Sequence, residues 1–218
     1  LVNTGIQEGS NRTLTVDTTA PLYANLTALP SSPASYSPGQ NYSFNSSWTD
    51  TIAINVVMNF SGVIYSTVNL GGGIYNFNIS DLAAGNYSFN WIANDSLGHK
   101  NQTALAYYLI EKALPNLTLN MAPASSVTVG TTTNVSGLGC PVQINCTLYR
   151  NDTNVSNPDV NTLSAGNYNY VFNATGNINY TNANVSAVLT VNAVSAPPSG
   201  GGGGCIVNTW TCGGWSDC

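Results

Sequence analysis

Leu82-Ala83-Ala84-Gly85-Asn86-Tyr87-Ser88-Phe89 and Leu163-Ser164-Ala165-Gly166-Asn167-Tyr168-Asn169-Tyr170 follow one pattern, 81 positions apart. The match runs on from Trp91 to Phe172 and from Ala93 to Ala174. In an extended strand, alternate side chains share a face. Tyr87, Phe89, Trp91 and Ala93 then face one way, and Asn86, Ser88 and Asn90 the other. Tyr168, Tyr170, Phe172 and Ala174 make a second aromatic face of the same kind. A period of two, introduced by Gly and occurring twice, predicts two sheet-built modules.

Working outward, helix signals are nearly absent. Runs of Tyr, Phe, Val, Ile and Thr are punctuated by Gly, Asn, Pro and Ser, which predicts an all-β chain. A first module over 21–111 has strand patterns at 23–29, 42–48, 53–60, 63–68, 74–79, 87–93 and 104–110. A second, over 112–193, has them at 117–121, 131–135, 144–149, 168–173 and 187–191, with a less regular stretch near 155–160. These numbers suit two facing sheets per module. Residues 1–20 read as a strand and junction, 194–204 as a Pro/Gly linker, and 205–218 as a Cys- and Trp-rich tail. Gly71-Gly72-Gly73 reads as a turn between strands.

The outward residues carry a second signal. Seventeen N-x-S/T sequons are present, at Asn11, Asn25, Asn41, Asn45, Asn59, Asn78, Asn86, Asn94, Asn101, Asn116, Asn134, Asn145, Asn151, Asn154, Asn173, Asn179 and Asn184. With 31 Asn and a fifth of the chain Ser or Thr, chance gives about six. The middle residue is Leu, Tyr, Phe, Ile, Val or Cys in eleven of the seventeen. On a strand this places the apolar residue inward and both the Asn and the hydroxyl outward. Covalent N-glycans are therefore expected, facing solvent, on a chain that passes through a secretory or surface route. The bland reading is an Asn-rich polar sheet surface without sugar.

Composition narrows the function. Only 6% of residues are charged, against about a quarter to a third on an ordinary soluble surface. The net charge of −5, from nine acids against four bases, argues against a nucleic-acid partner, which needs a basic stripe. No apolar run of membrane-spanning length occurs. The chain begins at Leu1 in a polar stretch, which suits a processed form or an excised piece. Of five cysteines, Cys140 and Cys146 are spaced to close a small disulfide loop. Two of Cys205, Cys212 and Cys218 are expected to pair, which leaves one over. Zinc spacing is absent, and the single His99 is remote in sequence.

The Leu-x-x-Gly-x-Tyr element resembles the tyrosine corner leading into strand F of immunoglobulin-like domains, with Tyr87 and Tyr168 in the corner position. The Cys…Trp…Cys spacing of true immunoglobulin domains is missing, so the resemblance is to the broad bacterial and archaeal Ig-like (Big-like) cell-surface repeats. It implies tandem immunoglobulin-like β-sandwiches. Val16-Asp17-Thr18-Thr19-Ala20-Pro21 looks like the junction between such repeats. Some tandem surface domains hold calcium there, and Asp17 would then be the contact; on its own it reads as a turn residue. The fourteen-residue tail from Cys205 through Trp210-Thr211-Cys212-Gly213-Gly214-Trp215-Ser216-Asp217-Cys218 resembles the opening of a thrombospondin type 1-like module.

No catalytic, cofactor-binding or metal-ligating set is expected. His99 falls in the polar turn Leu97-Gly98-His99-Lys100, and Asp50, Asp81, Asp95, Asp152 and Asp159 fall in turns, with nothing in the pattern to bring two acids together. The reading is a non-enzymatic, extracellular, heavily glycosylated structural protein of archaeal type, the subunit of a pilus-like filament or an envelope array. A surface adhesin or recognition module is the alternative. Leu14 and Val16 alternate on a homeless N-terminal strand. That strand either completes the second module of a neighbouring copy, head to tail, or belongs to an adjoining domain of a longer chain.

Overall fold

The computed structural model describes residues 16–195. Asn11, Leu14, the linker from 196 onward and the three C-terminal cysteines lie outside the described residues. Among the described residues there is no helix, and so none long and apolar enough to cross a membrane.

Two compact units are present. The first is built on 16–116, and Gly139–Cys146 and Ala174–Ala183 belong to it. One of its sheets has the order β1 (Leu22–Leu29), β3 (Asn41–Thr49), β7 (Ile74–Ser80), β6 (Val68–Gly71). The other has the order β2 (Ala34–Ser35), β10 (Ala106–Glu111), β8 (Gly85–Asp95), β4 (Ile54–Phe60), β5 (Val63–Ser66), with β9 (Lys100–Gln102) also against β8. The chain pairs β1 antiparallel with β3. It then crosses past Pro30 and Pro33 and lays β2 parallel to β10.

Inward residues of both sheets meet at Phe44. Its ring lies 5.0 Å from Phe89, 5.2 Å from Tyr108 and 5.6 Å from Phe60, centroid to centroid. These are the tilted and edge-on contacts aromatic rings prefer. Trp48, Met58 and Trp91 extend the buried layer.

In the second unit β11 (Thr118–Ala122), β13 (Thr132–Leu138) and β16 (Asp159–Thr162) form one sheet. The other runs β12 (Ser126–Thr128), β18 (Ala183–Asn192), β17 (Gly166–Thr175), β14 (Asn145–Arg150), β15 (Thr153–Val155). Here too the first strand divides: β11 pairs with β13, and β12 runs parallel to β18. Val135, Leu148, Tyr170, Phe172 and Leu189 are buried between the sheets. A first strand shared between the sheets, with the Gly-Asn-Tyr strand central in the larger one, makes these immunoglobulin-like sandwiches. The chain is all-β, as the alternation predicts.

Three local expectations are corrected. The strand pattern over 63–68 is two strands on different sheets, β5 against β4 and β6 against β7. The switch falls at Thr67, whose Oγ1 donates to Val56 O at 2.6 Å. The stretch near 155–160 likewise divides into β15 and β16 around Asn157 and Pro158. Pro158 has no N–H to give a ladder, and the Asn157 amide is spent on Gly137, accepting from its N and donating to its O at 2.9 Å each. Asp159 is no turn residue. It opens β16, is 3% exposed, and accepts from Arg150 Nη1 and Tyr170 Oη at 2.7 Å each. Burial, then the bond to Asp159, pushes the Tyr170 phenol up to about 12.

Glycine is required where backbones or rings crowd. Gly73 has φ +78°, and a Cβ there would lie 2.5 Å from Trp48 O. A Cβ on Gly137 would lie 2.3 Å from the Phe172 ring, whereas one on Gly85 meets only Tyr87, at 3.7 Å. Gly137→Ala is expected to lower stability by about 1–3 kcal/mol through overpacking, and Gly85→Ala by far less. Chemical denaturation of the two variants checks the ranking; equal midpoints would contradict it.

Candidate functional site

The sequons occupy the outer surface. Sixteen of their asparagines are described: eleven are exposed, and Asn45, Asn59, Asn101, Asn173 and Asn179 are half-buried. The two buried asparagines, Asn76 and Asn90, belong to no sequon. Middle residues turn inward, with Tyr42, Phe60, Val135 and Tyr180 buried. Leu26 departs from the pattern at 48% exposed. Asn25 before it has φ 52°, and the β1–β3 register shifts between Ala24 and Thr27, so the alternation slips by one residue there.

The strand pairing sets the sequon asparagines in rows. On the four-stranded sheet Asn76 Nδ2 donates to Ser43 Oγ and Asn45 Oδ1 at 2.8 Å each, and Asn78 Nδ2 donates to Asn76 Oδ1 at 2.6 Å. Two sequons are drawn into the fold instead. Asn59 Nδ2 donates to Asn90 Oδ1 at 3.0 Å. Asn101 Nδ2 donates to Pro21 O at 2.7 Å, and the hydroxyl of its partner Thr103, 5% exposed, accepts from Trp91 N at 3.0 Å.

The structure also joins acids that the sequence pattern leaves apart. One carboxylate oxygen each of Asp17, Asp50 and Asp95 lie within 4.8 Å of one another. Asp17 stands in the segment before β1, Asp50 follows β3 and Asp95 ends β8. Asp17 Oδ1 accepts from Thr19 Oγ1 at 2.7 Å and Thr19 N at 3.0 Å, and its Oδ2 from Thr51 Oγ1 at 2.8 Å. Asp50 Oδ1 accepts from Thr51 N at 2.6 Å, while its Oδ2 is buried without a partner. Asp95 Oδ1 accepts from Leu97 N and His99 N at 2.8 Å, and its Oδ2 faces His99 Nδ1 at 2.6 Å. His99, expected as an exposed loop residue, does lie between β8 and β9 and from there fixes Asp95. The all-oxygen set suits a hard divalent cation such as Ca2+, and these three residues are the ones that would hold it. A groove of about 640 Å3 runs beside Asp50, with Lys100 and Asn101 in its wall.

The Thr19 hydroxyl, then Thr19 N and Thr51, hold the Asp17 carboxyl well below the usual carboxylate range. Burial opposes ionisation of Asp95, but the bonds from His99 and Leu97 together outweigh it and lower its pKa.

Tyr87 Oη donates to Ala83 O, and Tyr168 Oη to Ser164 O, at 2.9 Å each. Tyr87 stacks on Phe60 at 5.5 Å. Cys140 and Cys146 are joined as a disulfide, as their spacing predicts.

No protein-family model matches the chain, and no curated protein does. Among solved structures it is similar to the fibronectin(III)-like modules of Clostridium thermocellum CbhA, at 14% identity and TM-score 0.34 over 78% of this chain and 95% of that one. An I-band fragment of titin gives 15% and 0.35 over 81% and 67%. A bacterial ice-binding adhesin gives 14% and 0.35 over 81% and 67%. The class defined by the strand order is a tandem immunoglobulin-like β-sandwich protein.

Because folding lowers the pKa of Asp17 and Asp95, their ionised forms favour the folded state. That contribution is present above the ordinary carboxyl pKa of about 4 and is lost as pH falls below it. Thermal melts followed by fluorescence of Trp48 and Trp91 are expected to hold from pH 7 to about 5 and then drop toward pH 2. Asp95→Asn should lower the melt at pH 7 and flatten this acid dependence. An unchanged acid limb in Asp95→Asn would contradict the assignment.

Proposed function

We propose that this chain is a heavily N-glycosylated, extracellular structural protein, the repeating unit of a surface filament or envelope array. The observation that carries the reading is the phase of the sequons: none of the sixteen described acceptors is buried, and the buried asparagines lie outside sequons. Random placement of Asn, Ser and Thr has no reason to respect the pleat. With 6% charged residues, hydrated sugar supplies the solubility that charge supplies elsewhere.

Assembly rests on an edge. The three-stranded sheet β11-β13-β16 ends at β16, where the matching sheet of the first unit carries a fourth strand, β6. An open edge accepts an added strand. The segment 11–16, with Leu14 and Val16 in alternation, fits that need, and Val16 is 73% exposed. Strand donation from one copy to the next is a heterologous contact, which extends without closing.

Intact mass before and after glycan removal tests the first part. A native mass far above 22.8 kDa that collapses on glycan removal is expected, and a native mass near that value would sink the reading. Deleting residues 1–16 tests the second. Folded monomers are expected, and polymers with unchanged subunit spacing would rule out strand donation.

A further inference from the structure

The outer face of the larger sheet in the first unit carries an apolar strip. Along β10, Tyr107 and Leu109 are 61% and 40% exposed, alternating with Tyr108 and Ile110 at 1% each. The register sets Leu109 directly opposite Asn86 and Tyr107 directly opposite Ser88. Asn86 and Ser88 are the acceptor and hydroxyl of one sequon. Directly opposed residues have Cβ atoms about 4.5–5.5 Å apart, and diagonal neighbours remain within reach of long side chains.

We propose that the glycan on Asn86 lies back across β10 and covers Tyr107 and Leu109, so that the strip is a docking surface for the chain's own sugar. This rests on the glycosylation reading above. A pyranose offers a face of C–H groups that suits the negative face of an aromatic ring. Asn86 is exposed, so its side chain is open to attachment. A sugar rooted one cross-strand step from Leu109 also fills the space a flat protein partner would need. The juxtaposition recurs independently in the second unit. Tyr149 of β14 stands directly opposite the sequon residue Asn154 of β15. It also shares a groove of about 260 Å3 with a second sequon residue, Asn173.

Tetranitromethane nitration of the native glycoprotein and of an Asn86→Gln variant made in the same cells tests this. Site-resolved mass spectrometry reads the glycan on Asn86 and the nitro group on Tyr107 in one digest, with buried Tyr108 reporting that the fold is intact. Protection of Tyr107 in the glycoprotein and several-fold faster nitration in Asn86→Gln is the expected result. Equal, rapid nitration in both would show that the sugar projects away, overturning the inference while leaving glycosylation standing. Protection in both would assign the cover to a second copy or another partner, and also overturns it. An Asn86 without sugar removes this inference, and with it the glycosylation reading at that position.

Discussion

The pleat of the strands is the constraint on which everything else depends. Each strand has two faces, and in β8 one carries Tyr87, Phe89, Trp91 and Ala93 into the core while the other carries Asn86, Ser88, Ile92 and Asn94 outward, with Asn90 on that face covered and paired to Asn59. A one-residue slip would exchange the faces, exposing Trp91 and burying Asn94. Core and sequon surface are therefore one specification, and the aromatic contacts around Phe44 hold both in register. Where the alternation does slip, at Asn25, the apolar middle residue Leu26 is left outside.

A second consequence concerns charge. Some of the few ionic groups are structural. Arg150 and Asp159 are spent on one partly buried pair, which also takes the Tyr170 hydroxyl. Asp95 is spent on the loop around His99. Apart from a few exposed charges such as Lys100, Glu111 and Lys112, the surface is mostly amide, hydroxyl and scattered apolar side chains, among them Ile64, Tyr107 and Leu109. On this surface a sequon asparagine stands beside such an apolar residue across the ladder, Asn86 opposite Leu109.

Long strands with strict alternation were legible in the sequence, because the period of two is local. The paired Gly-Asn-Tyr elements and the Cys140–Cys146 loop were legible for the same reason. β2 and β12 were not: at two and three residues they carry no period, and their parallel partners β10 and β18 come from the far end of each sandwich. The change of sheet at Thr67 was hidden inside an unbroken β-type run. The carboxylate cluster was invisible because Asp17, Asp50 and Asp95 come from three separate segments, each reading alone as a turn. A pair such as Arg150 and Asp159, nine residues apart, offered a faint local signal, since an Arg on a strand of a charge-poor chain needs a partner.

The central claim is that the strand phase which buries the aromatics also presents the acceptor asparagines. A residue-by-residue map of N-glycan occupancy on the natively produced protein tests it most directly. The account predicts sugar on at least ten of the seventeen sequons, dense at exposed positions such as Asn41, Asn86, Asn134 and Asn184 and lowest at Asn59 and Asn101, whose amides are engaged within the fold. Occupancy that ignores this order, or asparagines that are bare throughout, would contradict it.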